Sequence, residues 1–316
     1  MTELFLGVDG GQSSTTALIG NECGRVVGFG RGGPCNHVSA PERRAKFMGV
    51  MGDCLREALN QAGAAQARFT GACLGFSGGP HDKEELIREL IAAEHLLVTH
   101  DALPALVGAC AGKPGLITIA GTGSIAFGRN AAGKVGRAGG WGYVFGDEGG
   151  AFDIVRQAVR ASLRFEEGWG PATTLRARLL SATGAADANA MMHSFYTEEW
   201  PRSRVAKFSK LVDEAAREGD DAARMILDHA AQQLSWLANS VREMLFDDDE
   251  PARIAYIGGV YRSEIVLEAF RAATEVAHPA NQFGPPDYGP AAGALIEAYR
   301  LAGRDVQLTD VPEFEK

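Results

Sequence analysis

The sequence predicts an α/β protein of two domains, on three observations. Strand and helix patterns alternate through the first 112 residues, the signature of an α/β domain. A similar pattern restarts near residue 113, in a chain of 316 residues, long enough for two domains. The 40 glycines are uneven: 30 lie in residues 1–150, four in 151–257 and six in 258–316. A flexible or fibrous chain would spread them. Crowding in one half marks tight turns and close backbone approaches.

In order along the chain, residues 3–8 (ELFLGV) read as a short buried strand that runs into the Gly-rich DGGQSS. STTALIG and RVVGFG read as two more strands about the turn NECG. Residues 43–62 have helical spacing, with Phe47, Met51, Cys54 and Ala58 among the apolar positions recurring every three to four residues. GACLGFSGG is a strand with a glycine turn, residues 82–94 a helix, HLLVT a strand ending at Asp101, and ALPALVGACAG a helix closed by glycine. LITIAGTG then mirrors LFLGVDGG. Asn21–Val26 and Asn130–Val135 both read N-x-x-G-[RK]-V, 109 positions apart, each between two strands and followed by a Gly pair. This pattern reads as an internal duplication.

From 151 the chain becomes helical. AFDIVRQAVRASL and DAARMILDHAAQQLSWLANSVREMLF carry amphipathic patterns, with Trp236 at a core spacing. DDDEP at 247–251 reads as a solvated turn. RIAYIGGV is a late strand ended by a Gly pair, and residues 289–302 form a last helix. The expected division is residues 1–112, joined by the C-terminal helix 289–316, and residues 113–288 with a helical insertion.

Composition narrows the function classes. Hydrophobic residues at 46% and charged residues at 22% exclude wholesale disorder. The net charge is −9 and no Lys/Arg stripe forms, which argues against nucleic acid as a partner. An anionic ligand stays open, because backbone N–H groups bind phosphate without basic side chains. No run of about 18 apolar residues is present to span a membrane, and the first residues lack the basic and apolar regions of a signal peptide. Five cysteines, odd in number and without C-x-x-C, suggest reduced thiols in the cytoplasm.

Three glycine motifs fit familiar sites incompletely. Gly28-x-Gly30-x-x-Gly33 matches a dinucleotide fingerprint, but Pro34, Cys35 and Asn36 follow where a helix must open. Gly128-x₄-Gly133-Lys134 approaches a P-loop, but Val135 stands where Ser or Thr must hold Mg²⁺. Gly75-Phe-Ser77-Gly-Gly79 fits the nucleophile elbow of a serine hydrolase. The elbow needs a helix directly after the serine, and Gly78-Gly79-Pro80 delays it. His193, His229 and His278 lie downstream in no distinctive motif.

Taken as a set, the glycine turns suit a phosphate chain. Asp9-Gly10-Gly11-Gln12-Ser13-Ser14 follows strand one, Gly121-Thr122-Gly123-Ser124 the equivalent later strand, and Gly258-Gly259 the last strand. Glycine lets backbone approach a ligand with its N–H groups turned inward, and two facing turns could hold a triphosphate. Mg²⁺ takes one or two carboxylates and keeps waters, which suits Asp9 beside the first turn. Asp101 suits the acceptor hydroxyl; a helix N-cap is its plain alternative. Residues 139–150 (GGWGYVFGDEGG) set three aromatics and the pair Asp147–Glu148 among six glycines. Capping of the following helix is the alternative for that pair.

Together these segments resemble a known family. DGGQSSTTALI, AGTGSIAFG and YIGGV resemble the phosphate-1, phosphate-2 and adenosine elements of the actin/hexokinase/Hsp70 ATPase superfamily. CNH, LGFSGG, THDA and GGWGYVFGDEGGAFDI resemble eukaryotic-type N-acetylglucosamine kinases within the BadF/BadG/BcrA/BcrD ATPase family. The likeness covers residues 3–160 and, less closely, 254–300; residues 165–250 match no motif. The resemblance implies two ribonuclease-H-like domains, each a mixed five-stranded sheet flanked by helices, around a central cleft. It implies ATP-dependent phosphorylation of an amino sugar at its 6-hydroxyl, N-acetylglucosamine first and glucosamine as the alternative, and it admits a homodimer. Asp9 would bind Mg²⁺ through water. Gly10, Gly11, Ser13, Ser14, Gly121, Thr122 and Gly123 would hold phosphates, and Gly258 and Gly259 would approach the adenosine. Asp101 would be the base, and Asn36, Ser77, Trp141 and Asp147 would join it on the sugar. Gln12 departs from the Gly or Thr of many relatives. The family's other branch activates dehydratases and reductases through an iron–sulfur cluster, which the scattered cysteines here do not suit.

Overall fold

The structure, a computed structural model, describes residues 3–11, 13–35, 41–64, 66 and 68–316. The chain forms two compact units, Met1–Lys113 with Pro286–Lys316, and Pro114–Pro285.

The first unit opens with a three-stranded meander, β1 (Leu4–Gly10), β2 (Thr15–Asn21) and β3 (Val26–Gly32). Then come α1 (Pro41–Gln61), β4 (Arg68–Phe76), α2 (Glu84–Leu90), β5 (Ala92–His100) and α3 (Ala102–Ala109). The sheet order is β3-β2-β1-β4-β5, antiparallel within the meander and parallel across β1, β4 and β5. Cys54 and its apolar neighbours on α1 are buried against the sheet. The contact explains the false dinucleotide fingerprint: a Cβ on Gly30 would lie 2.0 Å from the Cys54 carbonyl oxygen, and one on Gly28 2.2 Å from that of Ala58. These glycines admit a helix backbone onto a strand. The helix expected over 82–94 is shorter, because Ala92 already pairs with Arg68 and the chain is extended from Ile91.

The second unit repeats the plan with β6 (Gly115–Ala120), β7 (Ser124–Arg129) and β8 (Val135–Gly139). A helical stretch follows: α4 (Ala151–Glu166), α5 (Leu175–Thr183), α6 (Ala188–Ser194), the single turn α7 (Arg202–Val205), α8 (Ser209–Arg217) and α9 (Asp221–Leu245). Then come β9 (Arg253–Ile257), α10 (Glu264–Ala277) and the short edge strand β10 (Gln282–Gly284). The order β10-β9-β6-β7-β8 matches the first sheet in sequence and direction of strands. The repeated N-x-x-G-[RK]-V turns also match in detail. The Asn21 side-chain oxygen accepts the N–H groups of Cys23 (3.0 Å) and Arg25 (3.1 Å), and that of Asn130 those of Ala132 (3.1 Å) and Lys134 (3.0 Å). Gly24 (φ +81°) and Gly133 (φ +79°) supply the left-handed residue the turn needs.

Within this unit α9 buries Leu227, Ala231, Leu234, Ala238 and Val241. Trp236 does not share that stripe: it is 55% exposed, two positions from Leu234 and so on another side of the helix. The acidic turn 247–251 is more than solvated. The buried Arg242 guanidinium donates to the carbonyls of Asp247 (2.6 Å), Asp248 (2.8 Å) and Glu250 (2.7 Å). Among the described residues no helix is long and apolar enough to cross a membrane, and no cysteine is in a disulfide.

The last helix, α11 (Pro290–Leu301), packs in the first unit. Its small residues let backbone meet backbone, and a Cβ on Gly293 would lie 2.0 Å from the Pro104 carbonyl oxygen of α3. The buried Glu315 carboxylate caps its start by accepting the N–H groups of Ala291 (3.0 Å) and Ala292 (3.1 Å). In an exposed helix interior Gly→Ala stabilises by about 1 kcal/mol. At Gly293 the sign reverses: Gly293→Ala is expected to cost about 1–3 kcal/mol through overpacking. Urea unfolding checks this, and a variant at least as stable as the parent would contradict the packing described.

Candidate active site

In the first unit three parallel strands end at one level. Gly10 pairs with Phe76, and Phe76 with His100. Beyond these ends the Gly10 carbonyl accepts the Ser77 N–H (3.1 Å), and the Phe76 carbonyl accepts those of Gly79 (3.0 Å) and Asp101 (3.3 Å). Asp9, Ser77 and Asp101 thus come from adjacent strand ends of one sheet edge. The Gly11 N–H closes the β1–β2 turn on the Ser14 carbonyl (2.9 Å), leaving Ser13 and Ser14 exposed. The Gly11 carbonyl accepts the Cys35 N–H (3.1 Å), and the Thr15 hydroxyl lies 2.8 Å from the Gly33 carbonyl and 2.9 Å from Cys35 Sγ. These bonds bring the chain just before Asn36 to the same edge. Asn36 and Gln12 lie outside the described residues.

The Asp9 carboxyl is pushed up to about 7, by burial first and then by the negative charges of Glu315 and Asp101. Burial also raises Glu315, against the opposing effect of its two N–H bonds. Asp9 forms no ion pair among the described residues. A carboxylate disfavoured by neighbouring negative charge is one that a cation would stabilise. Among the described residues no group of three or more His, Cys, Asp or Glu could hold a metal. A single carboxylate that a cation would stabilise is a donor of the kind Mg²⁺ takes, since that ion keeps several of its waters.

Asp101 occupies the N-cap position of α3 in helical conformation, and its side chain makes no cap hydrogen bond. The capping alternative is not realised. The nucleophile-elbow reading of Ser77 also fails on geometry. Gly78 (φ +81°) and Gly79 (φ +89°) turn the chain, and no helix begins before Glu84.

In the second unit the Gly121–Gly123 turn follows β6. The carbonyls of Gly121 and Thr122 accept the first N–H groups of α4, from Ala151 (2.8 Å) and Phe152 (3.1 Å). Gly258 follows β9, the strand beside β6, so close that a Cβ would lie 2.2 Å from the Ala120 carbonyl oxygen. The turn and Gly258–Gly259 therefore adjoin. Asp147 is buried with φ +62°, and α4 takes Gly150, not Asp147, at its N-cap. The Asp147 carboxylate packs on the turn, 2.5 Å from where a Gly123 Cβ would be, with Arg202 Nη1 at 3.4 Å. Trp141 differs: the residue is 72% exposed, with the Arg137 guanidinium 5.0 Å from the centre of its ring. Sequence reasoning missed Glu315, Lys83 and Arg202. Glu315 and Lys83 sit in ordinary charged stretches, and Arg202 in a segment without motifs.

Residues 6–298 match the model of the BadF/BadG/BcrA/BcrD ATPase family. The chain belongs to this family. It is 29% identical over 299 residues to an N-acetylmuramic acid/N-acetylglucosamine kinase of Clostridium acetobutylicum, covering 93% of this chain and 97% of the relative. It is 31% identical over 274 residues to an N-acetyl-D-glucosamine kinase of Dictyostelium discoideum, covering 81% and 85%. A solved structure from Chromobacterium violaceum, assigned as an N-acetylglucosamine kinase, aligns with TM-score 0.71 at 26% identity over 95% of this chain and 99% of that one. The resemblance read from the motifs and the paired five-stranded sheets both stand.

The raised Asp9 carboxyl has a stability consequence. An unfolded Asp ionises near about 3.9, whereas the folded, metal-free chain holds the proton to about pH 7. Ionisation between these values favours the unfolded state, so this group costs stability as pH rises from about 4 to about 7. In EDTA, Asp9→Asn should gain in melting temperature relative to the parent across that range. A gap that stays constant or shrinks with rising pH would contradict the burial described.

Proposed function

We propose that this chain is an ATP-dependent kinase that phosphorylates an amino sugar at its 6-hydroxyl, with N-acetylglucosamine as the first acceptor. The observation that carries the reading is the placement of Asp101. Its carboxylate is not used in capping and stands one strand away from the end that bears Ser77, itself paired to the end that bears Asp9. Phosphoryl transfer asks the protein for positioning, charge stabilisation and a group that receives the acceptor proton. The two near-full-length kinase relatives support the same reading.

The roles divide as follows. The turns at Gly10, Gly11, Ser13 and Ser14, and at Gly121, Thr122 and Gly123, hold phosphate oxygens. The Gly11 and Gly121 N–H groups close the turns on the Ser14 and Gly123 carbonyls, and the other N–H groups of the turns serve the phosphates. Gly258 and Gly259 leave room for the adenosine. Asp9 would hold Mg²⁺ through water, and the bound ion would neutralise charge on the phosphates. Asp101 takes the proton of the sugar 6-hydroxyl. Ser77, Asn36 and Asp147 bind sugar hydroxyl or amide groups, and Trp141 offers its exposed ring to the sugar's apolar face. Since Asp147 packs on Gly123, a sugar held by that carboxylate also bears on the phosphate turn. The reading places the enzyme in the cytoplasm, where its cysteines, none of them in a disulfide, stay reduced, with neither nucleic acid nor membrane as partner.

A coupled ADP-release assay tests this with N-acetylglucosamine, N-acetylmuramic acid, glucosamine and no sugar. Release should depend on an amino sugar; equal release without sugar would sink the proposal. Asp101→Asn should lower kcat by about 10²–10⁴, the range of general-base contributions, with ATP binding nearly unchanged. Unaltered turnover would remove Asp101 as the base.

A further inference from the structure

Lys83 is fully buried, although it lies in the stretch HDKEEL that reads as an exposed helix start. Its Nζ donates to the Gly79 carbonyl (2.8 Å) and to Asp82 Oδ1 (3.1 Å), and lies 5.7 Å from the centre of the Phe76 ring. Burial of an ammonium is costly even when it is hydrogen-bonded. An apolar side chain of similar length would fill the same space beside Phe76 without that cost. What the ammonium adds is a bond to its chain neighbour Asp82 and, across the turn, a fixed position for the Gly79 carbonyl.

That carbonyl belongs to a turn with two neighbours of consequence. On one side it carries Ser77. On the other, the His100 ring lies on Gly79, where a Cβ would fall 2.5 Å from the ring's Cε1. His100 is the last residue of β5, directly before Asp101. The Phe76 carbonyl binds both the Gly79 and the Asp101 N–H groups. The turn and the strand end that bears Asp101 thus share one backbone acceptor and one ring contact.

We propose that Lys83 is a positioning residue of the acceptor site: by holding the Gly79 carbonyl it sets the Ser77–Gly79 turn, and through His100 the approach of Asp101, for the sugar hydroxyl. The assignment rests on the kinase reading above. It separates Lys83 from a residue that merely supports the fold, because the effect should fall on one substrate only.

The test is steady-state kinetics of Lys83→Met in both substrates, with a melting curve. Loss of a charged hydrogen bond corresponds to about a tenfold effect. The sugar KM should rise about tenfold, while the ATP KM stays unchanged and the melting temperature is equal to or above that of the parent. Lys83→Gln keeps an N–H donor and should give a smaller rise; it carries the same test should the Met variant not fold. A parent active on sugar whose variant keeps the sugar KM overturns this assignment alone. So does a variant in which both KM values rise together as the melting temperature falls. A parent that phosphorylates no sugar overturns the kinase reading and this assignment with it.

Discussion

The level ending of parallel strands β1, β4 and β5 is the constraint on which the first unit's chemistry depends. The last carbonyls of β1 and β4 hold the N–H groups of Ser77 and Asp101. Three chain segments far apart in sequence are therefore brought to one edge by backbone bonds, which places Asp9, Ser77 and Asp101 on adjacent strand ends. Backbone bonds to a central sheet open less readily than surface contacts, so an edge built this way is rigid before any ligand arrives. In the second unit the ends of the neighbouring strands β6 and β9 bring Gly121–Gly123 and Gly258 together by a close approach of backbone to backbone.

Electrostatics follow from that placement. Asp9 stands near Asp101 and Glu315, and burial leaves it little water, so its carboxyl holds a proton to about pH 7. Glu315 reaches the area because it caps α11, whose small residues lie against the sheet. A site that opposes its own negative charge is poised for a cation and the phosphates it accompanies. The acidic net charge is no obstacle to the proposed nucleotide, because backbone N–H groups can bind phosphate without basic side chains.

Much of this was legible in the sequence, for physical reasons that can be named. The hairpin turns could be matched across 109 positions because an Asn side chain and a left-handed glycine are both needed there. Glycine density pointed to the turns proposed for phosphate, yet it also produced the false fingerprint at Gly28–Gly33, where the same residue serves helix–strand packing. β10 was invisible because three residues carry no periodicity. α2 ended early because strand pairing overrode its helical pattern, and Trp236 fell off the buried stripe of a helix whose apolar pattern was broad. The buried charges were the least legible. Lys83, Arg242 and Glu315 are stabilised by distant or local backbone groups that leave no mark in the residue pattern. The sequence singled out Asp147 as a candidate, but its contact with Gly123 depends on a left-handed backbone that only the folded loop reveals.

The transfer of phosphate to the sugar 6-hydroxyl is read most directly from the product. Phosphorus–proton correlation NMR on the reaction of ATP with N-acetylglucosamine should show a phosphomonoester coupled to the protons on carbon 6. Phosphate coupled to the anomeric proton, or free orthophosphate beside unaltered sugar, would contradict the chemistry assigned to Asp101 and the glycine turns.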